Sequence, residues 1–372
     1  MIRRFLHMVD ICYKPGPLSH THSLRRINPS HLFYPNGTLP LDRPAPPVEE
    51  VPLPPTTMTF RPSGTPGTGT VMWMDFMRRN DDKIVTVDQT GRAILYDPVT
   101  HTVRALPTMV TPKSWNLSLA VGDDLYVMET IPWPDKDGSG KCRRSVIEAL
   151  IHCEERRPNP NPNGGIWKEG DDCFWRPLPP PPCVHAAGYR GLGAGEICGY
   201  AAVGNSHILV STMSYGTYSF DTASSAWRKA GDWKLPFLGR AEYVPEHGIW
   251  FGFSAVDDGV LGAWDLSSTV KQQQQQPPLV VHSGCDGFTV PEAHVSHVIH
   301  LGAGKLCIAK LFMVDRRETL SKSCSVSEGG DKNFTMLTGV EVVRGCSDKL
   351  HIIKHKSCRY SFGEHDTPVS VL

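Results

Sequence analysis

Short apolar runs of five to eight residues, broken by two or three polar or glycine residues, recur along this chain. They read DFMRRN-DD-KIVTVD, LSLAVG-DD-LYVMET, YAAVG-NS-HILVST, AEYVPE-HG-IWFGFS, VIHLG-AG-KLCIAKLF and VEVVRG-CSD-KLHIIKHK. The turns fall at Asp81, Asp123, Asn205, His247, Ala303 and Cys346. Val, Ile, Leu and aromatic residues flanking a tight polar turn predict β-hairpins. Turn-to-turn spacings are 42, 82, 42, 56 and 43 residues. The two long gaps contain ERRPNPNPNGGIWKEGDD and KQQQQQPP, which lack the apolar residues needed to pack a core. Insertions are expected at 154–172, 271–278 and 316–335.

A second pattern comes after three of these hairpins. Tyr96-Asp97 in RAILYDPVTHTVRAL aligns with Phe220-Asp221 in TYSFDTASSAWRKAG, and Val103 with Trp227. Trp264-Asp265 in VLGAWDLSS gives a third instance. Each predicts a third strand ending in an aromatic, an Asp-led turn, then a fourth strand. Asp holds such turns by bonding the backbone two residues on, and the aromatics bury large area between stacked sheets. The recurrence of Tyr96, Asp97, Phe220, Asp221, Trp227, Trp264 and Asp265 marks them as structural repeat positions.

Four antiparallel strands per unit of about 42 residues is the spacing of a kelch- or WD-type β-propeller. The expected fold is all-β: a single kelch-like propeller of six four-stranded blades at 71–372. N-terminal strands at 1–30 are expected to complete the last blade, which begins at Val340, because a ring must close its edges. Residues 31–70 are expected to form a Pro-rich linker or strap.

Composition narrows the function classes. Lys+Arg and Asp+Glu stand at 38 each, so no global basic field points to nucleic acid. No apolar run approaches the ~20 residues that span a bilayer, and no secretory signal is read at the start. The expected location is intracellular, cytoplasmic or nuclear, with the 11 cysteines reduced. The N-x-S/T sites at Asn36, Asn116 and Asn333 then carry no sugar.

Candidate chemistry is sparse. Gly191, Gly193 and Gly195 have the spacing G-x-G-x-G rather than that of a dinucleotide loop, and the residues after them read as a strand, not a helix. His152, Cys153, Cys173 and Cys183 lack a C-x-x-C knuckle, so structural thiols are expected rather than zinc ligands. The strand KLHIIKHK (Lys349–Lys356) reads as half-buried with a solvated basic face. No catalytic residue, metal or cofactor is expected.

Longer phrases carry a resemblance. IRRFLHMVD, SLRRINPSHLFYP, GYAAVGNSHILVSTMSYGTYSFDT, WRKAGDWKLPFLGRAEYVPEHGIWFG, HLGAGKLCIAKLF and HIIKHKSCRYSF resemble, in this order, a plant protein family expanded in grasses. That family is catalogued as a domain of unknown function and described as kelch-like. The resemblance implies a single kelch-like propeller with no established activity. One departure is that the Gly-Gly pairs, Gly164-Gly165 and Gly329-Gly330, fall in insertions rather than at strand ends. The expected function is a protein–protein interaction scaffold binding an unknown protein partner through loops. The alternative is a propeller enzyme or small-molecule binder with a site at the channel mouth.

Overall fold

A computed structural model describes residues 3–13, 20–35, 47–63, 73–113, 115–133, 145–153, 172–257, 260–270, 277–282, 295–313, 332–345 and 349–372. The chain divides into two compact units. The first comprises Met1–Gly69, Gly199–Ala201 and Leu235–Leu372. The second comprises Thr70–Cys198 and Ala202–Lys234. Most of the insertions expected at 154–172, 271–278 and 316–335 lie outside the described residues, as do the turn residues 346–348.

The N-terminal strands are β1 (Leu6–Tyr13), β2 (His20–Ile27), β3 (Glu49–Glu50) and β4 (Thr56–Phe60). Next come β5 (Met74–Arg78), β6 (Ile84–Asp88), β7 (Ala93–Asp97) and β8 (Thr102–Leu106). They are followed by β9 (Asn116–Val121), β10 (Asp124–Glu129), β11 (Ile147–Cys153) and β12 (Asp172–Leu178). Next are β13 (Ile197–Val203), whose residues Gly199–Ala201 count with the first unit, and, in the second unit, β14 (His207–Thr212), β15 (Gly216–Asp221) and β16 (Ala226–Gly231). Each of these three quartets is four neighbouring strands in chain order.

The first unit resumes with β17 (Phe237–Val244), β18 (Ile249–Ser254), β19 (Leu261–Asp265) and β20 (Leu279–His282). Then come β21 (Val295–Gly302), β22 (Lys305–Phe312), β23 (Phe334–Arg344), β24 (Leu350–Ser361) and β25 (Asp366–Val371). The described chain is therefore nearly all β. No helix among the described residues is long and apolar enough to cross a membrane.

Burial is graded across each quartet of the second unit. The first strands β9 and β13 alternate, NLSLAV of β9 with Leu117, Leu119 and Val121 inward. In β6 the run IVTVD is buried throughout, so both faces of this second strand are covered. The fourth strand β8 is exposed except for Leu106. Met77, Val85, Leu125, Val127, Leu150 and Trp175 form one core between the β5–β8 and β9–β12 sheets.

Two parts of the first unit differ from the sequence expectation. The hairpin around Cys346 does not open a new sheet. Its strands β23 and β24 extend the sheet begun by β21 and β22, since β22 pairs with β23 over its full length. A separate sheet has the order β25-β1-β2-β4, with Met8 opposite Val371 and Leu6 opposite Ile27. The N-terminal segment thus contributes three strands beside β25, one of them from the Pro-rich stretch. There TTMTF (Thr56–Phe60) has the β-branched content that sheet pairing favours. Glu49–Glu50 adds a short parallel edge to β24.

The repeat positions occupy equivalent turns. Asp97 Oδ1 accepts from Val99 N at 2.8 Å, Asp221 Oδ1 from Ala223 N at 3.0 Å and Asp265 Oδ1 from Ser267 N at 2.8 Å. The fourth turn residue is left-handed in two of them, His101 at φ 56° and Ser225 at φ 53°. Tyr96, Phe220 and Trp264 are buried. Phe220 packs on Trp227 at 4.9 Å between centroids, and Trp264 on Phe237 at 5.3 Å. The Ser224 hydroxyl donates to Asp221 Oδ2 at 2.7 Å and, with the Ala223 amide, holds that carboxyl below its ordinary range. Asp221→Ala is expected to cost about 1 kcal/mol. A urea midpoint unchanged from wild type would count against that role.

Candidate functional site

The second unit carries different chemistry at the two ends of its strands. Asn116 pairs with Glu129, and Ile147 pairs with both Met128 and Leu178. This register places the loops before β9, after β10 and after β12 at one end of the β9–β12 sheet. Large apolar side chains stand out into solvent there. Trp115 is 81% exposed, Leu192 74% and Trp133 57%. Val110 and Met213 are also exposed.

These loops are pinned rather than loose. The Thr130 amide donates to Trp115 O at 2.9 Å, and the Ile197 amide donates to Thr130 O at 2.8 Å. The Tyr189 hydroxyl donates to Pro132 O at 2.6 Å, and the Arg190 amide to Tyr215 Oη at 2.9 Å. Met213 N and Ser214 N donate to Glu196 O and Ala194 O, both at 2.9 Å. The glycine run at 191–195 is explained by this packing. A Cβ on Gly191 would lie 2.3 Å from Trp133 Cε3, and one on Gly195 2.3 Å from Tyr189 Oη. Those glycines therefore seat aromatic rings. Trp115 itself sits at φ 52°, a conformation costing a bulky residue on the order of 1–2 kcal/mol.

A buried ion pair anchors the first of these loops. Lys113 Nζ meets Glu148 Oε1, and both side chains are fully buried. Glu148 also accepts from Val110 N and Thr111 N, each at 2.9 Å. One carboxylate on β11 thus fixes the backbone on which Val110 and Trp115 are mounted.

The opposite end is charged. The β5–β6 and β9–β10 turns meet there, with Asn80 Nδ2 donating to Gly122 O at 2.7 Å. Between them opens a cavity of ≈ 150 Å³. Arg79, Lys83, Arg104, Asp123, His152 and Cys173 are among its walls. Asp81 bridges two of the cations, at 3.3 Å from Arg79 Nε and 3.2 Å from Lys83 Nζ.

Of the four candidate zinc residues, His152 and Cys173 face each other across β11 and β12, with Nδ1 3.7 Å from Sγ. Cys183 lies beyond the other end of the sheet, in the loop after β12. Burial pushes its thiol up to about 11, away from the thiolate a metal needs. The Cys153 side chain lies outside the described residues. Among the described residues no group of three or more His, Cys, Asp or Glu could hold a metal ion. Cys173, Cys183, Cys198, Cys307 and Cys358 are free thiols. The basic strand KLHIIKHK falls in β24 of the first unit, where His355 is buried against Glu341 at 3.1 Å.

The repeat positions Tyr96, Asp97, Phe220, Asp221, Trp227, Trp264 and Asp265 line neither the cavity nor the exposed loop cluster. Trp115, Trp133 and Glu148 carry no repeat or motif that marks them in the sequence, whereas Arg104 falls within the aligned repeat, opposite Arg228. A Trp flanked by turn residues is the one local signal for the first two.

Fold and site together define a nearly all-β protein of several antiparallel sheets with exposed aromatic loops. The chain belongs to the family described as "Protein of unknown function (DUF1668)", whose family model matches residues 3–360. No curated protein matches it.

Proposed function

We propose that this protein is a six-bladed, kelch-like β-propeller acting as a non-enzymatic scaffold for protein–protein recognition. Its docking surface is the pinned loop cluster around Trp115 and Trp133. Three separate four-stranded sheets, a five-stranded sheet and an eight-stranded sheet in which β13–β16 and β17–β20 are joined by a short parallel pairing support the blade number, since they hold six sets of four antiparallel strands. The shared sheet of β25 with β1, β2 and β4 supports closure of the ring by the N-terminus.

One observation carries the recognition reading: Trp115, Trp133, Leu192 and Met213 are exposed on loops that backbone hydrogen bonds hold to one another. Isolated exposed apolar residues need no explanation, but a cluster of large ones marks an interaction surface. Tryptophans dominate binding energy when a partner desolvates them, and loops already ordered lose little entropy on binding.

The test compares affinity capture by wild type and by the Trp115→Ala/Trp133→Ala double variant. A partner retained by wild type and weakened about tenfold or more in the variant is the expected result. An identical set of proteins recovered by both would overturn the assignment of this surface.

A further inference from the structure

We propose that the cavity between the β5–β8 and β9–β12 sheets is a binding site for a compact oxyanion of the phosphate type. This goes beyond the docking surface, which lies at the other end of these strands.

Two guanidinium groups, one from the β5–β6 turn and one from β8, converge on one point there. Arg79 Nη1 and Arg104 Nη2 lie 3.9 and 3.8 Å from Cys173 Sγ. A thiol is a weak acceptor and these contacts are long. Arg79 is only 7% exposed, and its Nε has no hydrogen-bond acceptor among the described residues. The Asp81 carboxylate lies near that Nε but out of line for a hydrogen bond. A buried guanidinium whose donors are weakly used is costly unless something else accepts from it.

The charge balance of the walls agrees. Arg79, Lys83 and Arg104 stand against Asp81 and Asp123, an excess of one positive charge among the Arg, Lys and Asp side chains. Asp81 is already engaged by Arg79 and Lys83, and Asp123 is exposed. The volume of ≈ 150 Å³ is enough for a phosphate-sized anion. Guanidinium forks match the geometry of phosphate and sulfate oxygens, and both arginines line the space. Cationic walls disfavour a metal ion, and a lining of this polarity disfavours an apolar ligand.

The experiment is calorimetric titration of the full chain with inorganic phosphate, with chloride and acetate at matched ionic strength as controls. A parallel arm titrates glycerol phosphate. One saturable phosphate site is expected, weakened about tenfold or more by Arg104→Gln. Arg104 is exposed, so this variant is expected to fold, and its thermal unfolding is recorded alongside. Binding of glycerol phosphate as well would assign the site to the phosphoryl group of a small molecule; binding of phosphate alone would assign it to the free ion. Absence of saturable binding, binding equally strong in Arg104→Gln, or equal response to chloride would overturn the proposal.

Discussion

Glu148→Ala is expected to lower the stability of the second unit by about 3–5 kcal/mol, the cost of leaving one member of a buried ion pair without the other. Lys113 and Glu148 are both fully buried, so the stranded ammonium has no route to water without moving its loop. The same substitution removes the acceptor for two backbone amides, Val110 N and Thr111 N. Lys113 would keep its bond to Thr111 O at 2.5 Å but lose its carboxylate partner. Denaturant unfolding monitored by tryptophan fluorescence measures the loss. A companion variant separates charge from packing. Lys113→Met with Glu148→Leu removes both charges, and buried pairs replaced this way are often no less stable. The double variant is expected to recover most of the stability lost by Glu148→Ala. A Glu148→Ala cost below about 1 kcal/mol would mean that the pair does not anchor the loop.

The second large effect is acid weakening of the sheet formed by β25, β1, β2 and β4. His7 and His22 are buried on β1 and β2. Burial, with Arg3 and Arg26 nearby, lowers the His7 pKa from 6.5 to about 4. Burial, with His20 nearby, lowers His22 to about 4. Both are neutral when folded and free to protonate when unfolded. The unfolded chain therefore binds more protons between pH 6.5 and 4, and stability falls as pH drops through that window. At pH 5.5, one unit below the ordinary value, each histidine contributes a loss of about 1.4 kcal/mol relative to neutral pH. Asp10, raised by burial against its bond to Arg25, acts in the opposite sense. Native-state hydrogen exchange of β1 and β2 amides, corrected for intrinsic rates, reads the change between pH 7.5 and 5.5. The opening free energy is expected to fall by about 3 kcal/mol in wild type and by little in His7→Gln/His22→Gln. A flat wild-type profile would contradict it.

How much of the fold is legible in the sequence depends on the range of the interactions. The hairpins around Asp81, Asp123, Asn205, His247 and Ala303 are local, and each strand pair is visible as apolar runs about a short turn. The alignment of Asp97 with Asp221 extends to the backbone, where His101 and Ser225 share a left-handed conformation. The hairpin beginning near Val340 has the same signature but joins third and fourth strands, because apolar–turn–apolar does not say which hairpin of a sheet it is. The sheet of β25 with β1 is built from the two ends of the chain, and no local pattern encodes that pairing.

The loop surface and the cavity are less visible. Trp115 and Trp133 sit in Pro-containing loops, where no periodicity distinguishes an exposed aromatic from a buried one. Glu148 is 35 residues from Lys113, in a strand whose pattern suggests only a core. The cavity gathers side chains from strands and turns as far apart as Arg79 and Cys173, 94 residues in sequence. His152 and Cys173 stand out in the sequence as metal-ligand types. Their neighbours in space are guanidinium groups, which only the strand register reveals.

Docking of a partner protein on the loop end of the second unit is the central proposal. Hydrogen exchange of the full chain, alone and saturated with the partner recovered by capture, tests it most directly. Protection is predicted in residues 107–113, 130–133, 186–196 and 212–216. Protection of the turns at 79–83 and 122–124 instead, with those loops unchanged, would contradict it.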